Sequence, residues 1–217
     1  MRKIWRRITD PSYRATRRQI KQFQASHGRG TPIRYDGLNP GDVVLDIGGY
    51  QGEWAESMAA KYGVKVYVFE PHPKFAKKLK SKFQNQPQIK VFDFALGSAD
   101  GVICLSDNEN ASSALISSEN SVMGTVRAVA PALEALSLNT IAVAKINIEG
   151  GEYDLLPALY EAGLLERIER LTIQFHRYYA ENEEQREHII GQLTQTHDCS
   201  WSYPFIWEEW QLRGLGH

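Results

Sequence analysis

Two acids sit where short apolar runs end in the first third of the chain. Asp46 lies in Val44-Leu45-Asp46-Ile47-Gly48-Gly49-Tyr50-Gln51-Gly52, and Glu70 closes Tyr67-Val68-Phe69-Glu70-Pro71. Glycines directly after a buried strand permit a tight turn into a helix and let a ligand approach the backbone. A nicotinamide-binding loop would read G-x-G-x-x-G, with its first glycine where Asp46 stands, and a carboxylate there would face a pyrophosphate. The same acid suits a ligand with no phosphate but with an ammonium and a sulfonium, S-adenosylmethionine. It would be a charge-assisted partner for the amino-acid end. Glu70 follows Gly52 by eighteen residues, close to the roughly 20-residue interval at which an acid meets ribose hydroxyls. The expected cofactor-binding residues are Asp46, Gly48, Gly49, Tyr50, Gly52, Glu70 and Pro71, with Phe94 and Ala95 flanking the adenine.

A second group lies further along. In Lys145-Ile146-Asn147-Ile148-Glu149 polar residues alternate with apolar ones, and Thr172, Gln174 and His176 alternate likewise. In a strand such residues share one face, whereas central parallel strands are normally apolar on both. A polar stripe running to the carboxyl end is what a site at that edge requires. Transfer from a sulfonium to an acceptor that carries a proton needs in-line alignment and a placed base. His176 is the first choice for that base, because an imidazole titrates near neutrality. Glu149 is the rival, as base or as acceptor from the substrate hydroxyl. Asn147 cannot take a proton and is assigned positioning.

These residues need a scaffold. Val43–Ile47, Val64–Phe69, Ile89–Phe94, Ala142–Ile148 and Leu171–Phe175 read as strands, with Val102–Leu105 a shorter one. Helical spacing follows at Trp54, Met58 and Tyr62, at Phe75, Leu79 and Phe83, from Pro131 through Leu138, over Tyr153–Ala162, and over Glu181–Thr196. Pro157 inside the fourth of these predicts a late start or a kink. His197–Tyr203 and Phe205–Leu212 read as a closing antiparallel pair. Strands separated by helices imply right-handed crossovers and a doubly wound α/β fold with a mostly parallel, Rossmann-like sheet and an antiparallel C-terminal strand. Ligands bind such sheets beyond the carboxyl ends of the strands, at the switch point. Residues 106–122 are polar and aperiodic and read as a long, functional or mobile loop.

At this point the chain resembles the FkbM family of class I, S-adenosylmethionine-dependent methyltransferases. The resemblance spans roughly Val43 to Leu159. It rests on Leu45-Asp46-Ile47-Gly48 with Gly52, on Val68-Phe69-Glu70-Pro71-His72-Pro73, and on Ala144-Lys145-Ile146-Asn147-Ile148-Glu149-Gly150-Gly151-Glu152. The Ala95-Leu96-Gly97 step is also similar. The first segment is generic to class I methyltransferases, and the Lys-Ile-x-Ile-Glu-Gly-x-Glu segment is specific to the family. The resemblance implies O-methylation of a hydroxyl, often on a sugar, glycan or natural-product scaffold. The family usually carries Asp where this chain has Asn147, and that departure keeps a non-catalytic, cofactor-binding scaffold in view.

Bulk properties narrow the classes. A chain of 217 residues with 42% hydrophobic and 24% charged residues has the composition of a soluble globular domain. No apolar run is long enough to span a bilayer. The N-terminus has no apolar stretch behind its basic residues, so the expected location is cytoplasmic. Cys104 and Cys199 stand alone and read as small core hydrophobes in a reducing compartment, and no metal site is expected. The net charge of −1 hides an asymmetry: residues 1–22 carry eight basic side chains against one acid, Asp10. Residues 1–30 are therefore read as a basic arm and 31–217 as the methyltransferase domain. The arm either docks its apolar side on the domain or makes a peripheral contact with an anionic membrane. A nucleic-acid acceptor is not expected: the Asn/Asp-Pro-Pro-aromatic signature of amino-group methylases and the Pro-Cys nucleophile of pyrimidine methylases are both missing. A ribose 2′-hydroxyl stays open as an alternative. The aromatic tail from Trp201 to Trp210 is read as core.

Overall fold

Runs of Val, Ile and Leu bounded by Gly, Pro and Asn dictate strands, and the Ala-, Glu- and Lys-rich stretches between them dictate helices. A computed structural model describes residues 11–32, 34–106 and 121–214, with side chains from Thr16 onward. In chain order the elements are α1 (Pro11–His27), β1 (Val43–Ile47), α2 (Glu53–Tyr62), β2 (Lys65–Phe69), α3 (Pro73–Lys82), β3 (Ile89–Phe92), β4 (Phe94–Gly97), β5 (Gly101–Ser106) and β6 (Ser121–Ala128). There follow α4 (Val129–Ala135), β7 (Val143–Ile146), α5 (Glu152–Glu161), a 3₁₀ turn (Leu165–Arg167), β8 (Arg170–Ile173), α6 (Glu181–Leu193), β9 (His197–Tyr203) and β10 (Trp207–Leu212).

The main sheet has seven strands in the order β3-β2-β1-β7-β8-β10-β9. The five strands from β3 to β8 are parallel, and β10 runs antiparallel to both β8 and β9. Alternate residues feed two cores. Leu45, Ile47, Phe69 and Ile146 pack against Leu133 of α4, Leu155 and Leu159 of α5, and Ile189 of α6. Val44, Val66, Val68 and Val143 pack against Trp54 and Met58 of α2 and Leu79 of α3. Each fully buried aliphatic side chain contributes roughly 1.5–3 kcal/mol. Helices on both faces of a parallel sheet are the doubly wound arrangement, and strand order reverses between β1 and β7. Asp46, Gly48 and Lys145 meet at that reversal.

Several sequence expectations are corrected. The run Ile89–Phe94 is two strands: β3 stops at Phe92, and exposed Asp93, held by Lys80 at 2.8 Å, separates it from β4. Aspartate is poorly suited to a strand interior. β4 belongs to a second, three-stranded sheet in the order β4-β6-β5, which the sequence pattern does not foretell. The strands expected over 142–148 and 171–175 are shorter, ending at Ile146 and Ile173. Only Lys145 and Thr172 of the two polar stripes therefore lie in strands. Thr172 is spent internally, accepting a hydrogen bond from the buried Tyr35 hydroxyl at 3.1 Å. The helix around Pro157 does not start late: it begins at Glu152 and includes Pro157. Both cysteines are exposed rather than core.

In the aromatic tail Trp207 and Trp210 are buried, as a core reading requires. Trp201 and Tyr203 instead receive the end of α1: the His27 ring lies tilted against Trp201 with centroids 4.1 Å apart, and buried Phe23 meets Tyr203 edge-on at 5.6 Å. Most of the polar stretch 106–122 falls outside the described residues, which resume where β6 begins. Among the described residues no helix is long and apolar enough to cross a membrane.

Candidate active site

β1 ends in a turn that needs its glycines. Gly48 and Gly52 have φ of 92° and 76°, and Tyr50 joins them in the left-handed region at 47°. A methyl group on Gly48 would lie 2.0 Å from the Asn147 carbonyl oxygen, and one on Gly49 would lie 2.3 Å from Val68. One on Gly52 would meet Leu79 and Phe83 inside 3.0 Å. Close packing of turn, strand and α3 therefore suffices to require these glycines.

Glu70 leaves β2 at the same edge and is almost fully buried. Its Oε2 accepts the Tyr50 N–H at 2.7 Å and its Oε1 accepts the His72 N–H at 2.9 Å. The carboxylate is thus fixed between two loops, with lone pairs to spare. Burial pushes its pKa up, and the two backbone hydrogen bonds oppose that shift without cancelling it. His72 also caps α3, its Nδ1 accepting the Lys74 N–H, which holds Pro71 and Pro73 in place.

Lys145 on β7 points across to β1. Its ammonium donates to Asp46 Oδ1 at 2.8 Å and to the Gly48 carbonyl at 2.7 Å. Burial drives the Asp46 carboxyl above its ordinary range, and the charge and hydrogen bond of Lys145 pull it back only in part. After Ile146 the chain leaves strand geometry. Glu149 has φ of 52° and Gly150 of 102°. Glu152, fully buried at the start of α5, accepts the Ile148 and Gly150 N–H groups, each at 2.9 Å. His176, following β8, brings Nδ1 to 2.9 Å from Glu152 and Nε2 to 3.5 Å from Glu149. The Tyr178 hydroxyl donates a short hydrogen bond to Glu149 Oε2. Burial alone would lower the His176 pKa, but the hydrogen bond and charge of Glu152, aided by Glu149, outweigh it and hold the imidazole above 6.5.

These loops enclose a cavity of about 470 Å³. Of the expected site residues, Gly48, Tyr50, Glu70, Pro71, Ala95, Asn147 and Glu149 line it. Asp46, Gly49, Gly52, Phe94 and His176 do not. Asp46 is buried behind the turn, its Oδ1 accepting from Lys145. Phe94 packs on Phe69, with the Arg127 guanidinium over its ring at 4.8 Å. His176 stands behind Glu149. The opposite wall comes from the unforeseen second sheet, through Leu96, Ile103, Leu105 and Val126. Asp154 also lines the cavity, but its two oxygens accept from the N–H and hydroxyl of Ser98.

Sequence reasoning missed Glu152, Tyr178 and Asp154. The only signal for Glu152 was its place in the Glu-Gly-x-Glu segment, and spacing alone does not distinguish a buried acid from an exposed one. The lining residues carry three carboxylates (Glu70, Glu149 and Asp154) and neither Lys nor Arg. That donor set fits a ligand bearing positive charge and a diol, as S-adenosylmethionine does, and fits a pyrophosphate badly. Among the described residues no group of three His, Cys, Asp or Glu side chains is placed to hold a metal ion.

Comparison with known proteins shows the family and the fold. Residues 46–205 match the model of the methyltransferase FkbM domain. No curated protein matches the sequence. Among solved structures, an rRNA methylase from Streptococcus thermophilus superposes with a TM-score of 0.50 at 16% identity, covering 94% of this chain and 98% of that one. Fibrillarin from Aeropyrum pernix, with natively bound S-adenosyl-L-methionine, gives 0.51 at 11% identity, covering 90% and 75%. At such identities the likeness is one of fold.

Proposed function

Because the chain belongs to the FkbM family of methyltransferases and its cofactor is S-adenosylmethionine, we propose that it methylates a hydroxyl of a sugar, glycan or natural-product acceptor, with Glu149 taking the proton. When bound, the cofactor supplies an electrophilic methyl carbon. Glu70 holds the ribose diol, the Gly48–Tyr50 turn borders the amino-acid end, and Ala95 and Leu96 bound the adenine. The Lys145–Asp46 pair holds β1 and β7 at the separation the cavity needs.

The observation that carries this reading is the state of the three lining carboxylates. Glu70 is tied to two backbone N–H groups and Asp154 to Ser98. Glu149 is bonded through side chains alone, Tyr178 on one oxygen and His176 near the other. It is the acid available to accept a proton from an attacking hydroxyl. His176 takes the supporting position, since both its nitrogens face carboxylates, and Asn147 orients the acceptor.

An RNA ribose is the second reading. It draws on Lys77 and Lys80, which line a separate groove that shares Pro71 with the cavity. The carboxylate lining of the cavity itself disfavours a polyanion. We also propose a cytoplasmic setting and a peripheral contact of the basic N-terminal residues with an anionic membrane.

The test is transfer of labelled methyl from S-adenosylmethionine to sugars, glycans, hydroxylated natural products and RNA. Labelling of a neutral hydroxylated compound, abolished in Glu149→Gln, supports the reading. Labelling of RNA alone, with an affinity falling steeply with salt, supports the second.

A further inference from the structure

We infer that Glu152 is a positioning residue: by strapping the Ile148–Gly150 turn to the His176 imidazole it fixes the Glu149 carboxylate at the cavity edge, with Tyr178 as the second support. This rests on the reading of Glu149 as proton acceptor.

The backbone states the problem to be solved. A non-glycine residue in the left-handed region is strained and persists where its surroundings over-determine it. Glu149 at φ 52° is such a residue. The over-determination is visible: Glu152 accepts the N–H of the residue before Glu149 and of the residue after it. A carboxylate buried to zero exposure is costly unless hydrogen-bonded. Here it receives two backbone donors and the imidazole Nδ1, and it sits in the first turn of α5, where the helix dipole favours negative charge.

The same carboxylate orients the imidazole. With Nδ1 committed to Glu152, Nε2 faces Glu149 Oε1. The Tyr178 ring stacks parallel to the imidazole at 5.9 Å, and its hydroxyl secures the other oxygen of Glu149. Tyr153 of α5 donates to the His176 carbonyl at 2.6 Å and locks the backbone behind it. The titratable groups facing the imidazole are thus Glu152 from α5, Glu149 from the turn, and Tyr178 and Tyr153. An imidazolium here donates from Nδ1 to Glu152 and sets the positive Nε2 edge 3.5 Å from Glu149 Oε1, which helps aim that carboxylate. None of Glu152, His176 or Tyr178 lines the cavity.

The experiment is an NMR titration of the six imidazoles in the full chain saturated with S-adenosylhomocysteine, with His176 assigned through His176→Asn. The wild-type His176 midpoint is expected above 6.5. In Glu152→Gln it falls by about 1 pH unit or more, while affinity for S-adenosylhomocysteine holds. Glu149→Gln lowers the midpoint by less, because its oxygen lies at 3.5 Å rather than 2.9 Å. A merely structural Glu152 would lower the melting temperature and leave the midpoint in place, and that result overturns the inference. Should Glu152→Gln not fold, the half-exposed Glu149→Gln decides, since an unmoved midpoint there is equally contradictory. No methyl transfer is involved, so failure here is distinct from failure to methylate a hydroxyl.

Discussion

Lys145 Nζ lies 2.8 Å from Asp46 Oδ1 and 2.7 Å from the Gly48 carbonyl, joining the family-specific segment to the generic cofactor turn. Asp46, which from charge alone looks like the partner of a cationic ligand, is neutralised from within the protein. In the proposed reading direct recognition falls to Glu70, and the pair links the two strands at the switch point.

Lys145→Met is therefore a stability mutation before it is a binding mutation. Removing one member of a buried pair leaves the other uncompensated, at about 3–5 kcal/mol. Urea unfolding should show a large loss for Lys145→Met and substantial recovery in the Asp46→Leu, Lys145→Met double variant. Equal losses in the single and double variants would contradict a coupled pair.

Stability should also depend on pH through His176 with a definite sign. Its folded pKa lies above its ordinary 6.5, so its contribution is fully present below 6.5 and is lost as pH rises through the folded value. His197 has the opposite sign: burial lowers its pKa, so its contribution is present above 6.5 and is lost as pH falls from there through the lower folded value. The advantage of wild type over His176→Asn, from denaturant unfolding at about pH 6 and about pH 8, should shrink with rising pH. An advantage that grows would refute the assignment.

Glu149→Gln should lower methyl transfer to a hydroxyl by about 10²-fold or more and change S-adenosylhomocysteine affinity little. Asn147→Asp adds an acid beside Glu149 and is expected to leave the wild-type reaction in place. A wild-type protein inert toward every acceptor, made active by Asn147→Asp, would favour a cofactor-binding scaffold instead.

The Tyr50 N–H to Glu70 bond predicts a local effect as well. Glu70→Gln keeps one oxygen acceptor but places an amide against a backbone donor. The loop 48–52 should then gain hydrogen exchange at Tyr50 while β1 stays protected. Unchanged exchange at Tyr50 would show that this bond does not hold the turn.

Much of the scaffold is legible because periodicity is a local property. The apolar runs that feed both cores announce the main sheet, and Gly48 and Glu70 announce the sheet edge where the cavity lies. The second sheet is illegible because β5 and β6 are half-exposed strands separated by a polar stretch, and their alternation carries little contrast. Glu152 and Tyr178 are illegible for another reason. Their roles depend on a left-handed turn at Glu149, which no spacing rule foretells, bringing residues 24 and 29 positions apart into contact. The glycine turn was legible for a partly different cause, since packing against Asn147, Val68 and Leu79 already demands small residues there.

The most direct measurement is calorimetric titration of the full chain with S-adenosylmethionine, S-adenosylhomocysteine and NAD, repeated on Glu70→Ala. Loss of hydrogen bonds to a charged group should weaken binding by about 10–100-fold. The account predicts micromolar-range binding of both adenosyl compounds, weakened to that extent in the variant, and no NAD binding. Binding of NAD in preference, or adenosyl binding indifferent to Glu70, would contradict it.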